Sequence, residues 1–269
     1  MDFYKLLDSG SGVKLEQWGK YNLVRPDPQI IWTKSFPDIW DKADAVFNET
    51  WQAEMPENWI LNIDELNIEA RLTPFKHTGI FPEQYSQWQW IKKILNTQCS
   101  VLNLFGYTGI ASLVAAQAGA KVTHVDASQQ AIGWARKNQE LSGLADKPIR
   151  WILDDVLEFA AREVRRGHKY DLILMDPPVF GHGPDGQTWQ FNKSLPKLLG
   201  LCKQLLSENA RGVLINAYAV TTSHVTLANV LADLTDGLGG KITSGELLIN
   251  QENSHRILST GIWGKWEAS

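Results

Sequence analysis

Two short segments carry the residues best suited to chemistry. In Val101-Leu-Asn-Leu-Phe-Gly-Tyr-Thr-Gly-Ile110 an apolar run breaks at Gly106 and Gly109 and resumes as a small-residue helix. In Leu172-Ile-Leu-Met-Asp-Pro-Pro-Val-Phe180 a second apolar run ends in an acid, two prolines and an aromatic ring. Glycines after a buried strand let the backbone turn sharply and approach a ligand closely. Their spacing is Gly-x-x-Gly, not the Gly-x-Gly-x-x-Gly of dinucleotide folds, and alone it also describes a plain strand-to-helix turn. Asp126 adds to it, because it ends the next strand, where a carboxylate can accept both hydroxyls of a ribose. Capping a helix is the alternative role there, and Ser128 is placed to take it.

The third strand ends in Asp154-Asp155-Val156. Asp155 is the first choice to accept an exocyclic amine of adenine and Asp154 the second, with Val156 on the ring face. Asp155 can cap the following helix at the same time. In Asp176-Pro177-Pro178-Val179-Phe180 the prolines stiffen the chain and remove N–H donors. The carbonyls and the Asp176 carboxylate are then left to accept from a substrate amine, and Phe180 to stack on a flat ring. Gly181–Gly186 reads as a flexible loop suited to a lid, with His182 as a solvent-exposed loop residue or, alternatively, a base.

These residues need a scaffold, and the chain alternates strand and helix from about residue 75 onward. Gln84–Asn96 has Trp88, Ile91 and Leu95 at helical spacing. Strands are expected at 101–105, 121–126, 149–153, 171–175 and 212–216, and helices at 110–118, 128–142, 156–166, 195–206 and 223–234. Lys241–Ile249 and Ile257–Trp266 close the chain as two strands with no helix between them, which implies an antiparallel edge. Such alternation gives an α/β fold, a mostly parallel seven-stranded sheet covered on both faces. Residues 1–74 form a separate small unit, mostly β. Residues 3–25 read as one or two hairpins, 36–55 as a loosely helical connection, and 59–72 as one half-buried strand with Asn67, Glu69 and Arg71 outward. Trp18, Trp32, Trp40, Trp51 and Trp59 are expected to fill that unit's core, with a base-stacking surface as the alternative.

The 269 residues, 43% hydrophobic and 21% charged, are those of a soluble globular protein. No apolar run approaches a membrane span, and the first residues lack the pattern of a signal peptide, so a cytoplasmic location is expected. Cys99 and Cys202 give no metal-ligand spacing, and no metal is expected. A net charge of −4 is unlike a protein that grips long nucleic acid. The basic group Arg162, Arg165, Arg166, His168 and Lys169 reads as a solvated helix end.

The segments Leu102–Gly109, His124–Ser128, Asp154–Val156 and Leu174–Phe180 together resemble the class I S-adenosylmethionine (SAM)-dependent methyltransferases. More narrowly, residues 74–266 resemble the bacterial 23S ribosomal RNA cytosine-C5 methyltransferases and their relatives. That resemblance implies a Rossmann-like sheet and SAM as cofactor. It implies a cofactor site of Asn103, Phe105, Gly106, Tyr107, Thr108, Gly109, Asp126, Ala127, Ser128, Asp154, Asp155, Val156 and Asp176. It also implies a substrate site of Asp176, Pro177, Pro178 and Phe180. Thr78-Gly-Ile-Phe-Pro-Glu-Gln84 is similar to a segment that flanks the methionine part of SAM, which puts Phe81 and Gln84 beside the cofactor. Two departures stand out. The first 60 residues are unlike the family's usual RNA-binding domain. Members that methylate carbon also carry a Ser-Cys-Ser segment after the fifth strand, where this chain has Asn216-Ala217-Tyr218. Cytosine carbon 5 becomes nucleophilic only after a thiolate adds to the ring, so that chemistry does not transfer; a nitrogen target needs no covalent intermediate, and the methylated atom stays open. The leading expectation is methylation of a base in RNA. Two alternatives remain, a methyltransferase for a small molecule or protein and a catalytically silent SAM-binding module.

Overall fold

The computed structural model describes residues 1–95 and 98–269, which fall into two compact units. The first comprises Met1–Glu83 and Leu248–Ser259, the second Gln84–Leu247 and Thr260–Ser269. The first unit therefore extends past the expected limit at residue 74 and also takes in the tip of the C-terminal hairpin.

In the first unit β1 (Tyr4–Gly10), β2 (Val13–Trp18), β3 (Tyr21–Pro26), β4 (Ala45–Asn48) and β5 (Thr50–Ala53) form one sheet in that order. β6 (Asn58–Ile63) and β7 (Leu66–Arg71) form a separate antiparallel hairpin. Two expectations are corrected here. Only Pro37–Lys42 of the segment 36–55 is helical, as a 3-10 turn; β4 and β5 are a hairpin turning at Glu49, whose φ is 61°. Residues 59–72 are likewise two strands, because Asp64 at φ 54° reverses the chain. Glu69 is buried rather than outward, and the Arg71 guanidinium pairs with it. Trp18, Trp40 and Trp59 are buried as expected, while Trp32 and Trp51 are half-buried.

The sheet of this unit has an ionic centre. Glu16 on β2 is fully buried. It accepts from Arg25 Nε at 2.5 Å and Nη2 at 2.7 Å and from the Tyr4 hydroxyl at 2.8 Å. Burial alone pushes its pKa up; the Arg25 and Lys14 charges and the two donors outweigh burial and hold it below the ordinary value.

In the second unit the sheet order is β10-β9-β8-β11-β14-β16-β15, built from β8 (Ser100–Leu104), β9 (Lys121–Asp126), β10 (Ile149–Leu153), β11 (Leu172–Met175), β14 (Gly212–Ala217), β15 (Lys241–Asn250) and β16 (Ile257–Glu267). The first five are parallel, and β16 runs antiparallel to β14. The antiparallel strand is thus next to the edge, with β15 outermost. Helices α1 (Tyr85–Ile94), α2 (Ile110–Gln117), α3 (Gln129–Leu141), α4 (Val156–Arg165), α5 (Phe191–Leu205) and α6 (His224–Leu234) link the strands. Asn96, the expected end of the first helix, lies outside the described residues. Alternate residues of a strand face opposite sides. Leu102 and Leu104 join the core shared with Phe159, Leu198, Cys202 and Leu231 of α4–α6, whereas Asn103 faces α2. α5 starts at Phe191, earlier than expected, with Pro196 inside it. The expected lid loop is instead the turn of a short hairpin, β12 (Phe180–His182) with β13 (Thr188–Gln190).

The ionic centre yields a stability prediction. Arg25→Met removes the main charged partner of the buried Glu16 carboxylate and leaves it only Lys14 and the Tyr4 hydroxyl, at a cost of about 3–5 kcal/mol. Urea unfolding of the full chain measures it; a loss under about 1 kcal/mol would show that Glu16 is not held by Arg25.

Candidate active site

The parallel register brings the strand ends level. Leu104 lies opposite Val125 and Met175, Leu153 opposite Asp126, and Met175 opposite Ile215. The strand order reverses at β8 and β11, and open α/β sheets bind ligands in the crevice at the carboxyl ends beside such a reversal. The glycine turn follows β8, Asp126 ends β9, Asp154 and Asp155 follow β10, Asp176 follows β11 and Tyr218 follows β14.

The turn after β8 has positive φ at Phe105 (58°), Tyr107 (50°) and Gly109 (86°). For a side-chain-bearing residue that conformation costs about 1–2 kcal/mol, so its surroundings must enforce it. The Gly106 N–H donates to the Val125 carbonyl at 3.1 Å, Asn138 Nδ2 to the Thr108 carbonyl at 2.9 Å, and the Tyr107 N–H to Asp126 Oδ2 at 2.8 Å. A Cβ on Gly106 would lie 2.3 Å from His124 Cε1, and one on Gly109 would lie 2.8 Å from Ala135 Cβ. Both glycines are needed for packing as well as for the turn.

Beneath the turn lies a buried polar chain. Asn103 Nδ2 donates to Ser112 Oγ at 2.9 Å, and Ser112 Oγ lies 3.0 Å from His124 Nδ1. The hydroxyl accepts from Asn103 and is paired with the imidazole, either ring tautomer satisfying the contact. Burial pushes the His124 pKa down to about 3, so the ring is neutral. Its edge packs on Trp151 at 4.6 Å. Asn103 therefore supports the turn from below, with its side chain buried.

Asp126 Oδ1 accepts from the Ser128 N–H at 2.8 Å, so its two oxygens clamp the turns after β8 and β9. Burial raises its pKa above the ordinary value, and the Ser128, Tyr107 and Ala127 N–H donors offset only part of that. The carboxylate has about four lone-pair sites, and what the three N–H donors leave is open to a ligand hydroxyl. Ser128 caps α3 through the Ala131 N–H at 3.2 Å, as expected. Asp155 caps α4, accepting from Leu157 and Glu158 N–H at 2.9 and 3.0 Å through Oδ1. Asp154 is ion-paired with Arg162, and Val156 packs in the core. Tyr107 tilts toward Trp134 at 6.1 Å. Phe81 belongs to the first unit, its ring tilted over His77 at 5.6 Å.

On the substrate side Asp176 Oδ2 accepts from Gln84 Nε2 at 2.8 Å. The same nitrogen donates to the Tyr218 hydroxyl at 2.9 Å. Gln84 thus ties the end of β11 to the end of β14, a link the sequence reading did not contain. Tyr218 was missed altogether; its only signal was its place beside Ala217. The expectation of unengaged carbonyls is corrected. The Pro178 carbonyl accepts from Trp189 Nε1 at 2.6 Å and the Val179 carbonyl from the Phe191 N–H at 2.9 Å, because the hairpin folds back on this segment. Phe180 is 55% exposed, with its edge on His182.

Other features fall outside this crevice. Arg166 and His168 pair with the buried Glu163, and Lys169 Nζ donates to the Gln204 carbonyl, so the basic group is a tied helix end. A cavity of about 370 Å³ beside it, lined by Lys121, Arg150 and Tyr170, opens at the amino ends of the strands. Among the described residues no three His, Cys, Asp or Glu side chains gather as metal ligands, and no helix is long and apolar enough to cross a membrane.

The sheet order, the glycine turn and the acid at the end of β9 define an α/β protein built to hold a nucleoside cofactor beside a substrate crevice. The chain belongs to the S-adenosylmethionine-dependent methyltransferase family, whose profile matches residues 40–224. A crystal structure of the SAM-dependent methyltransferase from Agrobacterium tumefaciens is similar over all of this chain and 91% of that one, at 44% identity and a TM-score of 0.97. The ribosomal RNA large subunit methyltransferase K/L of Alteromonas mediterranea is 36% identical over 171 residues, 60% of this chain and 24% of that protein. The ribosomal RNA large subunit methyltransferase I of Aeromonas salmonicida is 35% identical over 127 residues, 47% of this chain and 29% of that protein. The chain thus spans about a quarter of the length of the curated relatives it matches.

The clamp predicts the behaviour of cofactor binding. Asp126→Ala is expected to weaken SAM binding by about 1.5–3 kcal/mol; equal affinity by calorimetry would remove Asp126 from the site. The acceptor form is the carboxylate, so binding is full above its pKa and falls as pH drops through it. Because burial raises that pKa, the loss begins at higher pH than for an ordinary aspartate. Asp126→Asn should flatten the profile, and an unchanged profile would assign it to another group.

Proposed function

We propose that this chain methylates a base in RNA, on a nitrogen, without a covalent enzyme–substrate intermediate. SAM, when bound, supplies an electrophilic methyl group on a sulfonium. The carboxyl end of β9 would hold the ribose through Asp126, and Asp155 would receive the adenine amine. Asp176 would accept an N–H of the target, and the exposed Phe180 would stack on its ring. These contacts orient a nitrogen lone pair toward the methyl carbon, and misplacement of about 1 Å costs on the order of 100-fold in rate. A cytoplasmic location belongs to the same reading.

One observation carries the chemistry: among the described residues no thiol faces the crevice. Ala217, at the position that the resemblance gives to the nucleophilic cysteine, is buried in the core. Cys202 is buried on α5, its thiol 3.8 Å from the Met175 sulfur and its pKa pushed up by burial to about 12. Cys99 is buried just before β8, at the amino end of the sheet. The RNA assignment rests on the names of the curated relatives. The test is mass spectrometry of nucleosides from ribosomal RNA of a strain lacking the gene. Loss of one methylated base, restored by wild-type protein, supports the reading; an unchanged nucleoside profile excludes it for ribosomal RNA.

Two variants test the chemistry. A Cys99→Ser, Cys202→Ser double variant should keep its methyl-transfer rate; a lost rate in a folded protein would restore a thiolate mechanism. Asp176→Ala should lower turnover by about 100-fold with SAM binding largely intact, and turnover within a few-fold of wild type would make Asp176 structural.

A further inference from the structure

The cavity at the amino ends of the strands lies wholly within the second unit, at the far end of the sheet from the crevice. β9 starts at Lys121, beside the cavity, and ends at Asp126, in the crevice, after a rise of about 17 Å. The cavity measures about 370 Å³, within the range of sites that hold small organic ligands. Val122, Pro148 and Ile149 give it apolar walls, while Lys121, Arg150 and Lys169 give it basic ones. No aspartate or glutamate is among the described residues that line it.

Cations at the end of α4 are explained by the helix dipole, but Lys121 and Arg150 stand on the sheet. In the parallel register Ser100 pairs with Lys121 and Thr123 with Arg150. Alternate residues of a strand share a face, so Lys121, Thr123 and Arg150 project from one side. Arg150 Nη1 lies 3.5 Å from Thr123 Oγ1 and 3.7 Å from Glu163 Oε2, long contacts for a group with five N–H donors. The buried Glu163 is already taken up: it accepts from the Tyr170 hydroxyl at 2.5 Å and lies 2.7 Å from His168 Nδ1 and 3.3 Å from Arg166 Nη1. Lys169 spends one of its three donors on the Gln204 carbonyl. Asp171 is turned to Ser100 and Ser207. Lys121 makes no ion pair among the described residues. Cations therefore outnumber acids around a concave, partly apolar space.

We propose that this cavity binds a small organic phosphate, with its apolar body against Val122 and Ile149 and its phosphate between Lys121 and Arg150. A phosphate monoester carries nearly two negative charges at neutral pH and three strong acceptor oxygens. Guanidinium and ammonium groups are the side chains that take such an anion. A carboxylate would bring one charge to two cations. The site is separate from the methyl-transfer crevice and does not rest on the RNA reading.

The experiment uses the full chain saturated with S-adenosylhomocysteine, so that the crevice is filled. Phenyl phosphate is titrated by calorimetry at about pH 8, where its phosphate is doubly charged. It should bind at one site per chain, more weakly as salt is added. Benzoate, with one charge, should bind about 10-fold more weakly, and phenol, with none, more weakly still. Lys121 holds no ion pair, so Lys121→Ala should leave the melting temperature unchanged while lowering phenyl phosphate affinity about 10-fold. Arg150→Ala should lower it by a similar factor. Lys193→Ala, a cation of α5 outside the cavity, should bind as wild type does. Absence of phenyl phosphate binding, or wild-type affinity in Lys121→Ala, would overturn the site. Benzoate or phenol binding as tightly as phenyl phosphate would overturn the phosphate assignment. An equal loss in Lys193→Ala would reduce the effect to overall charge and overturn the site as well.

Discussion

The Asp126 carboxylate holds the cofactor side of the crevice together. One oxygen takes the Tyr107 N–H of the turn after β8 and the other takes the Ser128 N–H of the turn after β9. Without that clamp the positive φ of Phe105 and Tyr107 would rest on the Gly106–Val125 and Asn138–Thr108 bonds alone. The turn could then relax toward ordinary backbone angles and close the space over Gly106. The buried chain Asn103–Ser112–His124 works on the same turn from below. A neutral imidazole is packed so close that only glycine fits above it. The acid is thus part of the wall and, in the reading proposed here, also the group offered to a ribose. Burial, which raises its pKa, couples the two roles.

The order of strands and helices after residue 75 was legible because the elements are amphipathic or fully apolar and are bounded by glycine, proline and capping residues. Asp126, Ser128 and Asp155 stand at strand ends where their types already implied hydrogen bonds to the next turn. The first unit was harder to read. Asp64 and Glu49 make tight reversals without glycine, so two hairpins looked like a strand and a helix. Glu69 breaks the inside–outside alternation because Arg71 neutralises it. On the substrate side the missing information was tertiary. Nothing in local sequence places Trp189 on the Pro178 carbonyl. Nor does it bring Gln84 to Asp176 and Tyr218, which are 92 and 134 residues away.

The two cysteines show how burial decides chemistry. Cys202 is raised to about 12 by its apolar surroundings and touches Met175 in the core, far from the thiolate character a nucleophile needs. At the end of β14, Ala217 lies in the core and the Tyr218 hydroxyl accepts from Gln84 Nε2. Methyl transfer to a nitrogen asks for orientation and no covalent handle. At the carboxyl ends of β11 and β14, Asp176 and Tyr218 are tied to one amide, that of Gln84. The same ends leave Phe180 exposed for a flat partner.

A crystal structure of the protein with S-adenosylhomocysteine tests the central claim most directly. The account predicts both ribose hydroxyls within hydrogen-bond distance of the Asp126 carboxylate, the glycine turn unmoved, and the sulfur facing the side of the crevice that holds Asp176 and Tyr218. A ligand bound elsewhere, or with its ribose turned away from Asp126, would contradict it.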